Sequence, residues 1–150
     1  MTEQLKLIET QLYKSEITFP IIRERLLLAG ELKAWYRWYR GGNQWAKKFF
    51  REENVFLMTS SIIWCQIDDD GQIRIHQIKP DEFAKIEHSY EFESKNSQKL
   101  ILTEVLATLR VLDEKRKTDV LVFKRPLLEE QGDAEGFERF MEMFDKQFKL

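Results

Sequence analysis

An α+β fold is predicted for this 150-residue chain: an antiparallel β meander packed by a C-terminal amphipathic helix, with an N-terminal helical extension. Three observations predict it. Residues 134–149 place Phe137, Phe140, Met141, Phe144 and Phe148 on one helical face. Residues 31–78 are aromatic and β-branched runs broken by turn chemistry. A composition of 43% hydrophobic and 33% charged residues is that of a soluble globular protein, which excludes collagenous and wholly disordered classes. Residues 1–29 are read as the extension and 30–150 as a single domain.

Taken in order, Leu5, Ile8 and Leu12 recur at helical spacing in a narrow stripe that is expected to dock on the domain, the alternative being a homodimer seam through residues 3–14. Pro20 is expected to open a second helix ending near Gly30, since proline suits the first helical position and glycine the residue past the end. Four strands follow between residues 31 and 78, with turns expected at Gly41-Gly42, Glu52-Glu53-Asn54 and residues 68–71. Asp70-Gly71, between Ile67 and Ile73, is the strongest hairpin signal, because Asp-Gly tolerates the positive φ of a type I′ turn. Pro80 ends the meander, and a short helix is expected over residues 81–87.

Leu102, Val105, Leu106, Leu109 and Leu112 fit the i, i+3, i+4, i+7 template and predict a helix. The rival reading is a strand pair in which residues 107–112 turn through 113–116 into 120–123. Residues 119–124 form a strand under either reading, stopped by Pro126. In the last helix Glu135/Arg139, Glu142/Lys146 and Asp145/Lys149 are acid-before-base pairs four residues apart, and the distribution of charge matches the helix dipole.

Local motifs of catalysis are missing from the sequence: there is no P-loop, dinucleotide glycine fingerprint, nucleophile elbow or zinc-protease helix. His76 and His88 stand twelve residues apart with no partner at metal-ligand spacing. The acidic run before Gly71 fails the calcium-loop register, because Gln66 and Gln77 fall where the first and last ligands belong. No catalysis, cofactor or metal is therefore expected. The competing class is an enzyme with carboxylates drawn from Asp81, Glu82, Glu87 and Glu104, among which nothing selects a pair. The single cysteine, Cys65, lies in the apolar run Ile62-Ile63-Trp64-Cys65 and points to a reducing, cytoplasmic setting. No signal-peptide pattern opens the sequence, and no apolar run approaches the roughly 20 residues of a membrane helix.

A net charge of −2 conceals an internal asymmetry. Residues 33–51 hold six basic side chains and no acid, interleaved with seven aromatics, whereas residues 52–98 carry ten acids against four bases. Tyr36, Trp38 and Arg40 would share one strand face, and Trp35, Arg37 and Tyr39 the other. Lys33, Arg37, Trp38, Arg40, Trp45, Lys47, Lys48 and Arg51 are the candidate binding residues, the cations for charge and the tryptophans for stacking. The expected function is a non-catalytic interaction module that meets an acidic partner surface, a protein first and an anionic headgroup second. The alternative is single-stranded nucleic-acid binding through the same segment. The competing structural account makes the aromatics core and pairs the cations with neighbouring acids.

Residues 30–36 (Gly-Glu-Leu-Lys-Ala-Trp-Tyr), a glycine turn, Trp45-Ala46-Lys47-Lys48-Phe49-Phe50 and then Val55-Phe56-Leu57-Met58 resemble the opening hairpin and third strand of the pleckstrin-homology superfold. The helix from Ala134 stands where that family places its barrel-capping helix. The resemblance covers roughly residues 30–150 and implies a PH-like barrel and a recognition role. Three departures bear on what it implies, the first being that a helix over residues 100–112 would replace strands the barrel requires. The last helix carries phenylalanines where the family usually has a tryptophan, and Phe49 stands two places after Lys47, where phosphoinositide-binding members carry a basic residue. The implied partner is therefore protein rather than lipid.

Overall fold

The computed structural model describes residues 2–43, 48–69, 71–109, 120–126 and 134–147, which fall into two compact units. The first unit comprises residues 1–78 and 126–150, and the second residues 79–125. The fold is mixed α+β.

In the first unit, helices α1 (Thr2–Gln11) and α2 (Ser15–Ala29) precede strands β1 (Leu32–Asn43), β2 (Lys48–Met58), β3 (Ile62–Asp68) and β4 (Ile73–Ile78). The strands form the expected antiparallel meander in the order β1-β2-β3-β4, an open sheet rather than a closed barrel. One face takes α1 and α2, whose Ile8, Leu12, Ile22 and Leu26 pack with Phe56, Met58, Ile63, Cys65 and Ile67. Residues 1–29 thus supply part of the core, and Ile8 and Leu12, which a seam through residues 3–14 would need, are buried inside the protein. The other face takes α3 (Ala134–Gln147). Phe137 and Phe140 meet Tyr36 at ring-centroid distances of 5.4 and 5.2 Å, and Gln147 donates to the Thr59 carbonyl at 2.7 Å. Phe137, Phe140, Met141 and Phe144 are buried as their spacing predicts, each stabilising by about 1.5–3 kcal/mol.

Several local elements differ from those the sequence predicts. Pro20 lies inside α2 rather than at its start. The helix begins at Ser15 because the chain reverses at Lys14, which adopts left-handed φ of 50°, and Thr18 Oγ1 donates to the Tyr13 carbonyl at 3.0 Å. Gly30 ends α2 as expected, at φ 110°. Gly41-Gly42 belongs to β1, and Glu52-Glu53-Asn54 sits in the middle of β2 instead of turning. The β2–β3 turn is at residues 59–61, closed by the Met58 N–H donating to the Ser61 carbonyl at 2.9 Å. The β3–β4 hairpin falls where Asp-Gly predicts it. Its closing bond runs from the Asp68 N–H to the Gln72 carbonyl, so three residues lie between the ends rather than the two of a type I′ turn, with Gly71 at φ 97°.

The second unit opens with a 3-10 turn at Pro80–Glu82, where the Glu82 carboxylate accepts the Lys79 N–H at 2.6 Å. Only that turn of the helix expected over 81–87 exists. Strands β5 (Phe83–Phe92), β6 (Leu100–Leu109) and β7 (Val120–Lys124) follow as an antiparallel sheet in the order β5-β6-β7. The helix expected over 100–112 is a strand as far as Leu109. Ile101, Thr103, Val105 and Thr108 are β-branched, and burial deepens at Val105 and Ala107, two residues apart. Leu112 and the rival reading's turn at 113–116 lie outside the described residues.

Candidate functional site

Strands β1 and β2 carry the described part of the basic–aromatic segment, and the sheet pleat divides the share of β1 between two covered faces. Trp35 stacks on Phe56 at 6.1 Å on the α1/α2 face. Tyr36 and Trp38 turn toward α3, and Trp38 packs edge-on to Trp64 at 5.4 Å. At 3% exposure Trp38 offers no stacking surface to a ligand. Arg37 donates to the Gln11 carbonyl at the end of α1, where a cation complements the helix dipole, and lies over the Tyr39 ring at 5.7 Å.

Arg40 and Arg51 face each other directly across β1 and β2, a like-charge pair that would destabilise the sheet if left alone. Glu53 resolves it. Its fully buried carboxylate lies 2.8 Å from the Nε of each arginine and accepts the Trp64 indole N–H at 2.6 Å and the Gln66 amide at 3.3 Å. Glu52, one residue earlier, is equally buried and points to the opposite face. There it accepts the Asn54 amide at 2.8 Å and the Tyr13 N–H at 3.3 Å, fixing the α1–α2 corner to the sheet. Its charge weighs on two neighbours already raised by burial: the Tyr39 phenol is pushed up by burial and then by Glu52, and the Cys65 thiol by burial and then by Glu52 and Glu53.

Most of the described cations of the segment therefore hold the sheet together. Lys33 differs. Among the described residues its ammonium is paired only with the exposed Glu31, at 3.3 Å, and it lies where the β1–β2 register shifts between Leu32 and Ala34. Trp45 and Lys47 lie outside the described residues, and the Lys48 side chain is likewise not described.

A groove of about 260 Å³ runs beside Lys33, below the roughly 300–1,000 Å³ of small-molecule sites. Residues 32–35 of β1 form its floor, Gln4, Leu7 and Gln11 of α1 one wall, and Arg139 and Met143 of α3 the other. Among the described residues no carboxylate lines it. Sequence reasoning found Lys33 and missed the walls. A signal existed: Leu7 and Met143 are apolar residues off the buried stripes of their own helices, and they remain 50% and 38% exposed.

The carboxylates considered for catalysis do not line this groove. Asp81 is exposed, Glu82 caps the 3-10 turn, Glu87 pairs with Lys85 and Glu104 is half-buried opposite Ser89. Among the described residues no group of three or more His, Cys, Asp or Glu side chains is placed to hold a metal, and no helix is long and apolar enough to cross a membrane. No protein-family model, no curated protein and no solved structure matches this chain.

Proposed function

We propose that the protein is a non-catalytic interaction module that binds an acidic protein surface, with Lys33 as its central contact. The observation that carries this reading is the groove beside Lys33, to which α3 adds a second cation, Arg139, and which holds no acid among the described residues. Arg37, Arg40 and Arg51 support the site from within by fixing β1 against α1 and β2. The order of a four-strand meander, a three-strand meander and a C-terminal helix supports a pleckstrin-homology-like recognition role. The single cysteine, Cys65, is buried and outside any disulfide, which suits a cytoplasmic setting.

The test is fluorescence titration of the full chain with poly-glutamate, with mixed single-stranded RNA and with anionic vesicles, each at low and moderate salt. Saturable binding of poly-glutamate, weakened about tenfold or more by the combined Lys33→Glu, Lys47→Glu and Lys48→Glu variant, is the expected result. Tight RNA binding with a steep salt slope, and none to poly-glutamate, replaces this reading with nucleic-acid binding. Silence toward poly-glutamate at low salt rejects it.

A further inference from the structure

We infer that the groove beside β1 receives an extended acidic peptide, which adds to the sheet as a fifth strand along the β1 edge. The inference rests on the acidic-partner reading above and names how that partner is held. Helix α1 packs on one face of the sheet and α3 on the other, so a groove lined by both helices and by residues 32–35 runs along the strand's edge. That edge is open: β1 is the outer strand of its sheet, paired only with β2 among the described residues. An outer strand presents unpaired N–H and C=O groups, a template for another chain.

The walls say what chain fits. Residues 32–35 span about 13 Å of extended backbone, room for about four residues of a partner. Side chains of an added strand would alternate between the α1 wall, where Leu7 offers apolar surface between two amides, and the α3 wall, where Arg139 stands beside Met143. Among the described residues Arg139 has one weak partner, Glu135, at 4.0 Å on an exposed helix turn, and Lys33 has Glu31. Both cations are free to exchange those partners for a ligand carboxylate. The matching sequence alternates acidic and aliphatic residues. Lys33 and the bulge beside it are also the devices by which edge strands discourage indiscriminate pairing. They would reject a neutral or basic strand and admit an acidic one, which gives the edge its selectivity.

The probe is an eight-residue peptide alternating valine and glutamate, titrated into the full chain by fluorescence anisotropy. Two analogues carry N-methyl groups on one or the other alternate set of amides. In an added strand only one set faces β1, so one analogue should lose binding about tenfold or more and the other should keep it. The Lys33→Glu, Arg139→Glu double variant changes two exposed groups, and circular dichroism checks that it folds. It should lose the acidic peptide by at least about tenfold and gain the valine–lysine counterpart. Equal tolerance of both methylated analogues, with the acidic peptide still bound, overturns strand addition and leaves the acidic-partner reading standing. Binding of poly-glutamate without binding of the alternating peptide does the same. Failure of both acidic probes removes the two together. A dimer in sedimentation that the Lys33→Glu, Arg139→Glu variant breaks, in a protein that does not bind the acidic peptide, assigns the edge to a second copy of the chain and also overturns the inference.

Discussion

The two sheets treat apolar and charged side chains in opposite ways. In β3 of the four-stranded sheet, residues 62–65 are all buried, because helices cover both faces. In β5 of the three-stranded sheet eight of ten residues are exposed, including Tyr90 and Phe92. A carboxylate within the first sheet must find internal partners, as Glu52 and Glu53 do, whereas Glu87 and Glu91 on β5 face solvent. The difference teaches that the same strand-forming residues hold a fold together in one sheet and leave a surface in the other. Substitutions at matched chemistry should therefore diverge between them.

The largest divergence is expected for phenylalanine. Phe140 is fully buried against Tyr36 and Phe144, so Phe140→Ala should lower unfolding stability by about 3–5 kcal/mol through lost burial and a cavity. Phe92, 63% exposed, should tolerate the same change within about 0.5 kcal/mol. Urea unfolding followed by circular dichroism measures both. Equal losses would mean that the exposed end of β5 is covered in solution and would break the comparison.

Charge sharpens it next. Glu53→Ala leaves Arg40 facing Arg51 and strands the buried Trp64 indole N–H, so a loss of about 3 kcal/mol is expected. Lys85→Ala, which breaks an exposed pair with Glu87, should stay within about 0.5 kcal/mol. Tryptophan fluorescence reports the first case cleanly, since all four tryptophans belong to the first unit.

The same contrast explains what could be read from the sequence. The C-terminal helix was legible because one face alone is buried, so the phenylalanine spacing and the Glu135/Arg139 and Glu142/Lys146 pairs agree. The four-strand meander was legible from its β-branched runs. β6 was not: Leu102, Leu106 and Leu109 are all half-buried, and a strand that is partly apolar on both faces matches a helical spacing by coincidence. Glu52-Glu53-Asn54 read as a turn because those residues favour turns, while the groups that allow them inside a strand are Arg40, Trp64 and Tyr13, distant in sequence. For the candidate site, Lys33 stood out as part of a basic run. Arg139 and Met143 reach it only through packing of α3 on the sheet, which no local pattern encodes.

Alkaline pH probes the covered face alone. Cys65 and Tyr39 are acids whose ionised forms the fold disfavours, by burial first and by Glu52 next. The unfolded thiol loses its proton above about pH 8.5 while the folded one keeps it, so the unfolded state binds fewer protons and stability falls as pH rises. The slope should reach about 1.4 kcal/mol per pH unit between the ordinary thiol and phenol values, and steepen above about pH 10 as Tyr39 joins. Cys65→Ala should remove the first part of that slope whatever it does to stability at neutral pH. Unfolding curves across the pH range decide it, and an unchanged slope in the variant would place the titration elsewhere.

The smallest expected effect separates the two hairpin connections. Between β3 and β4, Gly71 holds φ at 97°, a conformation that L side chains rarely adopt. A Cβ there meets no atom within 4 Å, so any penalty is backbone strain rather than a clash. Gly71→Ala should destabilise the first unit by about 1 kcal/mol. The β5–β6 connection, closed by the Glu93 N–H donating to the Lys99 carbonyl at 2.9 Å, turns without any residue at positive φ. Asn96→Ala there should change stability by no more than a few tenths of a kcal/mol. Hydrogen exchange at Asp68 and Glu93, the donors that close each loop, resolves effects of this size and assigns each to its own hairpin. Faster exchange at Asp68 in Gly71→Ala, with Glu93 unchanged, would locate the strain in the turn. Equal acceleration at both would show that the two sheets unfold as one cooperative unit.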